Sequence, residues 1–155
     1  MTDTRPPTTT EIPADVHDVP IDPSAPPVPP GALLLELVPV PVTDIDRAKA
    51  FYADQLRFHA DVDVRPADGV RVVQLTPPGS ACSITLTEGL DSLDMPAGTL
   101  RGLHLVVSDI EAARATLLER GVDVGPAQDL GGVYYAHFAD PDGNTWTLQH
   151  MPWRR

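Results

Sequence analysis

One pattern occurs twice in this chain, and that repeat restricts the possible folds more than any other feature. Residues 38–50 read VPVPVTDIDRAKA and residues 103–115 read LHLVVSDIEAARA. Laid over each other, Val42 falls on Val107, and Asp44-Ile45 on Asp109-Ile110. Asp46 falls on Glu111, and Ala48 and Ala50 fall on Ala113 and Ala115. Each copy runs from a β-rich stretch into a segment with helical apolar spacing. The first helix has an apolar face of Ile45, Ala48, Phe51, Tyr52 and Leu56; the second uses Ile110, Ala113, Leu117 and Leu118. Thr43-x-x-Asp46 and Ser108-x-x-Glu111 have capping-box spacing, which predicts Thr43 and Ser108 as the helix caps. Gly121 is placed to end the second helix.

Strands are predicted after each helix. The first is followed by FHADVDV (58–64), VRVVQLT (70–76) and ACSITLT (81–87), with turns at Asp68-Gly69 and Pro78-Gly79. The second is followed by a weak strand near 122–124, then VYYAHFA (133–139) and NTWTLQH (144–150). Between the last two lies DPDGN. It reads as a hairpin turn in which aspartate side chains bond the local backbone and Gly143 supplies positive φ. The further ligands and terminal glutamate of a calcium loop are absent. The expected class is α+β: two tandem βαβββ modules, about 33–88 and 100–150, forming a curved mixed sheet with the helices outside. A half this short is marginal alone, so the two should share a core.

Residues 1–30 differ in kind. They hold half of the 18 prolines and no Phe, Tyr or Trp. Such a stretch buries too little apolar surface to offset its ordering entropy, which predicts a disordered, partly polyproline-II tail before a domain at 31–155. The tail is either a plain extension or a docking peptide. Of the net charge of −11, the tail carries −4 (Asp3, Glu11, Asp15, Asp18 and Asp22 against Arg5), leaving −7 on residues 31–155. That balance repels phosphate backbones, so nucleic acid is not an expected partner. No secretory signal or membrane-length apolar run is visible. The single cysteine, Cys82, points to a reducing cytoplasm.

The pair VTDIDRAKAFY (42–52) and LHLVVSDIEAA (103–113), followed by DPDGNTWTLQ (140–149), resembles the vicinal oxygen chelate superfamily. That group includes glyoxalases, bleomycin-resistance proteins, fosfomycin-resistance enzymes and extradiol dioxygenases. The likeness covers about residues 33–150. It implies a sheet whose concave face holds the site and, in many members, a divalent metal. The family's ligands are His or Glu near the start of each module's first strand, and Glu or an equivalent donor on each last strand. Carried onto this chain, those positions are Leu37, Gly102, Thr85 and Thr147. None is a His or a carboxylate. A catalytic metal generally needs about three imidazole, carboxylate or thiolate donors. No cofactor is therefore expected, and no divalent metal. The resemblance also implies a homodimer, with the modules closing one cup within a chain or exchanging between two.

Strand parity supplies the rest of the expected site, because side chains alternate faces. The cup face is expected to carry Leu37, Pro39, Ser83, Thr85, His104, Tyr135, His137, Thr147 and Gln149. Trp146 and Leu148 then point to the helices, and Glu36 lies opposite Leu37. His137 holds the position that carries a functional side chain in extradiol dioxygenases. His104 reads as a hydrogen-bonded core residue, a ligand contact or, with His137, part of a shifted metal site. Three functions fit. The first is a metal-free small-molecule binder, such as one that sequesters an antibiotic or metabolite. The second is a metal-independent isomerase or lyase using His104 or His137 with Tyr135. The third is a lyase or dioxygenase with displaced metal ligands.

Overall fold

The computed structural model describes residues 27–154, so the expected tail lies outside the described residues except for residues 27–30. The first module contains β1 (Leu37–Pro39), α1 (Ile45–Ala50), β2 (His59–Ala67), β3 (Val70–Thr76) and β4 (Ser83–Glu88). The second contains β5 (Leu103–Val106), α2 (Ile110–Glu119), β6 (Gln128–Leu130), β7 (Val133–Ala139) and β8 (Thr145–His150). Each module forms a mixed four-stranded sheet, in the orders β1-β4-β3-β2 and β5-β8-β7-β6. The first strand runs parallel to the last, and the other pairs are antiparallel. The repeat in the sequence is thus a repeat in topology. Among the described residues no strand ladder joins the two sheets.

Several local details differ from expectation. The helix caps are Asp44 and Asp109, one residue after the predicted Thr43 and Ser108. Both have extended backbones, and their carboxylates accept from the amides of Arg47 and Ala112 at 2.9 Å. An aspartate at this place satisfies an orphan amide and adds negative charge beside the helix dipole. Past Ala50 the first helix widens into a π turn over Phe51–Gln55, with the amide of Leu56 donating to the carbonyl of Phe51. That wider turn buries Phe51 and Tyr52 side by side. The expected strand at 122–124 is absent. Val122 and Val124 are buried without joining a ladder, and the edge strand forms instead at β6. Valine spacing alone cannot distinguish a core plug from a short strand.

One core serves both modules. Val73, Leu75, Ile84 and Leu86 of the first sheet belong to the same buried cluster as Ala136, Phe138, Trp146 and Leu148 of the second. Tyr52 and Phe58 meet Trp146 across the boundary, with ring centroids 5.7 and 5.9 Å apart. The polar half of this joint is the DPDGN turn. The Tyr52 hydroxyl donates to Asp140 Oδ2 at 2.7 Å, and Trp146 Nε1 donates to the Tyr52 hydroxyl at 3.1 Å. Asn144 Nδ2 donates to Asp140 Oδ2 and to the Pro41 carbonyl, while its Oδ1 accepts from the Leu100 amide. Asp142 Oδ1 accepts from the amide and hydroxyl of Thr43 and from Arg47. Asp140 also caps its own turn, accepting from the amides of Asp142 and Asn144. The turn expected to be local is therefore the latch between modules.

Tyr52→Phe should leave a buried indole N–H without an acceptor and Asp140 with one donor fewer, destabilising the fold by about 1–3 kcal/mol. Burial, followed by the neighbouring Asp140 carboxylate, pushes the Tyr52 phenol far above its ordinary range. A group raised in the folded state contributes stability that is complete below its unfolded pKa, about 10 for tyrosine, and lost above it. Urea denaturation at increasing pH should show stability falling more steeply above that value in the native chain than in Tyr52→Phe. Equal slopes would refute this.

Candidate functional site

Because both sheets turn their apolar faces into the shared core, their other faces look away from it. On the first sheet, the register sets Leu37 and Pro39 of β1 beside Ser83 and Thr85 of β4, and Gln74 beside Thr85. Ser83 and Thr85 are small and form a buried floor, whereas Leu37 is 37% exposed. Gln74 Nε2 donates to Ser83 Oγ, and Thr85 Oγ1 donates to the Val73 carbonyl. On the second sheet, one row runs His104, Thr147, His137 across β5, β8 and β7. The next row runs Val106, Gln149, Tyr135. Thr147 is buried and Val106 is 48% exposed.

The residues on the second face support one another. His137 Nδ1 lies 3.0 Å from Thr147 Oγ1. The His104 ring stands edge-on to Tyr135, centroids 6.2 Å apart and planes at 86°. His104 is exposed, so it is not the core histidine that was one of its expected readings. A hollow of about 520 Å³ opens where β7 ends and β8 begins, lined by Asp123, His137, Phe138, Ala139 and Thr145. A second groove of about 430 Å³, lined by Phe58, Leu105, Leu117 and Leu148 among others, lies on the helix side of the same sheet. It is remote from the imidazoles in sheet terms, because Leu105 and Leu148 point opposite to His104 and Thr147.

The expected site residues therefore fall into two groups. Leu37, Pro39, Ser83 and Thr85 share one face; His104, Tyr135, His137, Thr147 and Gln149 share the other. Within one chain, no hydrogen bond or ring contact among the described residues joins the groups. Cys82 precedes β4 and is half-buried. His59 is exposed on the edge strand β2, beside Asp61.

The donor set does not fit a family-type metal centre. Leu37 and Gly102 offer no side-chain ligand, and Thr85 and Thr147 offer neutral hydroxyls that are already engaged. Gly102 moreover has φ +71, a backbone in which a ligating side chain would be strained. No group of three or more His, Cys, Asp or Glu comes together among the described residues.

The profile of the Glyoxalase/Bleomycin resistance protein/Dioxygenase superfamily matches residues 34–148. The chain belongs to this superfamily. TnmS3, an antibiotic binding protein from Streptomyces sp. CB03234, is 35% identical with a TM-score of 0.69, over 78% of this chain and 98% of its own. A glyoxalase/bleomycin resistance protein from the same organism is 37% identical with a TM-score of 0.65, over 76% and 100%. A superfamily member from Sphaerobacter thermophilus DSM 20745 is 31% identical with a TM-score of 0.68, over 77% and 98%. A search of curated proteins gave no match. As a superfamily member, this chain lacks the usual metal ligands, and no helix among its described residues is long and apolar enough to cross a membrane.

The lone cysteine is not arranged as a nucleophile. Burial, and then the Glu36 carboxylate, hold its thiol above the ordinary value, which lowers the thiolate fraction. Alkylation of Cys82 by iodoacetamide at neutral pH should run slower than for a free cysteine and approach the free rate in denaturant. Fast labelling of the native protein would contradict this.

Proposed function

We propose that this protein binds a small molecule without a metal, sequestering an antibiotic or a metabolite as a cytoplasmic homodimer. The observation that carries the reading is the pair of open faces, polar and aromatic in mixture, at positions where metal-dependent relatives would place ligands. The likeness to an antibiotic binding protein, over nearly the whole of that protein, supports it. The geometry supports the dimer. Each face is half a cup, and the shared core turns the two halves of one chain away from each other. A second copy of the chain would supply the complementary half to each. The single cysteine supports the cytoplasmic placement.

Equilibrium dialysis or calorimetry against planar antibiotics should yield a saturable ligand, and sedimentation should yield a dimer. A tightly closed cup that takes up no compound would end the reading. Exchange between chains has its own test, using two exposed positions. Leu37→Arg blocks the first face and Val106→Arg the second. Each variant alone should lose binding. Mixing them under subunit exchange should restore about half of the sites in each mixed dimer, because one of its two cups then contains neither arginine. A cup closed within each chain gives no recovery.

A second reading is a metal-independent isomerase or lyase. It is favoured by the exposed imidazole of His104 standing against Tyr135. Unchanged turnover in His104→Ala and His137→Ala would remove it.

A further inference from the structure

We propose that Gly102 is a positioning residue, which fixes His104 as a hydrogen-bond acceptor on the binding face through Nε2. The proposal deepens the binding reading by naming the chemistry of its ligand. It begins at the place where a metal-dependent relative would have a ligating side chain. Gly102 adopts φ +71, and its backbone is tied at both ends. Its amide donates to Thr145 Oγ1 at 2.8 Å, and its carbonyl lies 2.6 Å from His104 Nδ1. A carbonyl oxygen can only accept. His104 Nδ1 must therefore carry the proton of that bond. In the neutral ring Nε2 is then the bare nitrogen, with a lone pair to offer.

The surroundings leave that lone pair to a ligand. Nε2 makes no hydrogen bond among the described residues, and the Tyr135 ring stands edge-on beside the imidazole. The register places Gln128, Leu130, Val133 and Ala139 on the same face as His104, Thr147 and Gln149. None of the sheet's own strands puts an Asp, Glu, Lys or Arg side chain on it; the nearest fixed charge is Asp123, at the hollow beside His137 and Thr145. Strands without fixed charge on this face, carrying an oriented acceptor next to an aromatic ring, suit an uncharged ligand that presents an O–H or N–H donor. An anionic ligand would be desolvated there without a counter-charge, and beside Asp123. Left-handed geometry is what turns the Gly102 carbonyl toward the ring. An added Cβ meets nothing within 4 Å, so alanine at this position disturbs the backbone conformation and little else.

Long-range ¹⁵N–¹H NMR of the histidine-labelled full chain at neutral pH reads the tautomer directly. The His104 signals can be assigned with His104→Gln. The expected result is the Nδ1–H form, and a predominant Nε2–H form overturns the proposal. In Gly102→Ala, checked for folding by circular dichroism, the Nδ1–H preference should be lost. Thr145→Val, which frees the Gly102 amide, should weaken it if the alanine variant does not fold. Retention of the preference in a folded variant removes the role of Gly102. Phenol and anisole at high millimolar concentration test the donor. Phenol should move the Nε2 resonance more than anisole does; equal shifts, or none, overturn the acceptor role. The tautomer is read in the free protein, so it can stand or fall apart from any failure to bind an antibiotic.

Discussion

The carboxylate of Asp140 holds the molecule in its working shape. It accepts from two amides of its own turn, from Asn144 and from the Tyr52 hydroxyl of the other module. A buried carboxylate is tolerated only when it is this fully bonded. Its donors come from both halves of the chain, so the satisfied state exists only when the modules are docked. The aromatic stack of Tyr52, Phe58 and Trp146 then closes over the joint. Polar satisfaction sets the docking, and apolar burial stabilises it.

The docking decides which sheet faces stay open. A sheet has two faces, and in each module the apolar one is consumed by the common core. What remains is a polar face on each sheet, turned outward. At the family's ligand position Gly102 offers no side chain, and its left-handed backbone would strain one. The Gly102 peptide and Thr147 each engage an imidazole nitrogen, so two histidines that could have been ligands are held by the protein's own oxygens.

Much of this was legible in the residues. The repeat predicted the repeated topology, and strand parity placed Trp146 and Leu148 toward the helices, on the face opposite Thr147 and Gln149, as the register has them. Parity works because alternation is local and strict. The failures also have local causes. Thr43-x-x-Asp46 has the spacing of a capping box, but the cap is Asp44, and Thr43 is used across the joint by Asp142. Val122 and Val124 have strand spacing, yet they fill the core beside α2 without pairing. DPDGN is the turn its residues indicate, and also a latch that they do not reveal. Nothing in five residues of sequence indicates that Asn144 will bond Pro41 or that Asp140 will meet Tyr52.

The sequence by itself determined the two βαβββ units, the face each side chain takes on its strand, and the lack of imidazole or carboxylate donors at the family's ligand positions. These follow from periodicity and residue chemistry, which act over a few residues at a time. Only the tertiary structure decided how the units dock, and therefore that the two polar faces of one chain do not meet. It also decided the conformation of Gly102 and hence the hydrogen bond that orients His104. Both depend on contacts between segments far apart in the chain, where one buried carboxylate and one left-handed glycine select among arrangements that the local pattern leaves equally open.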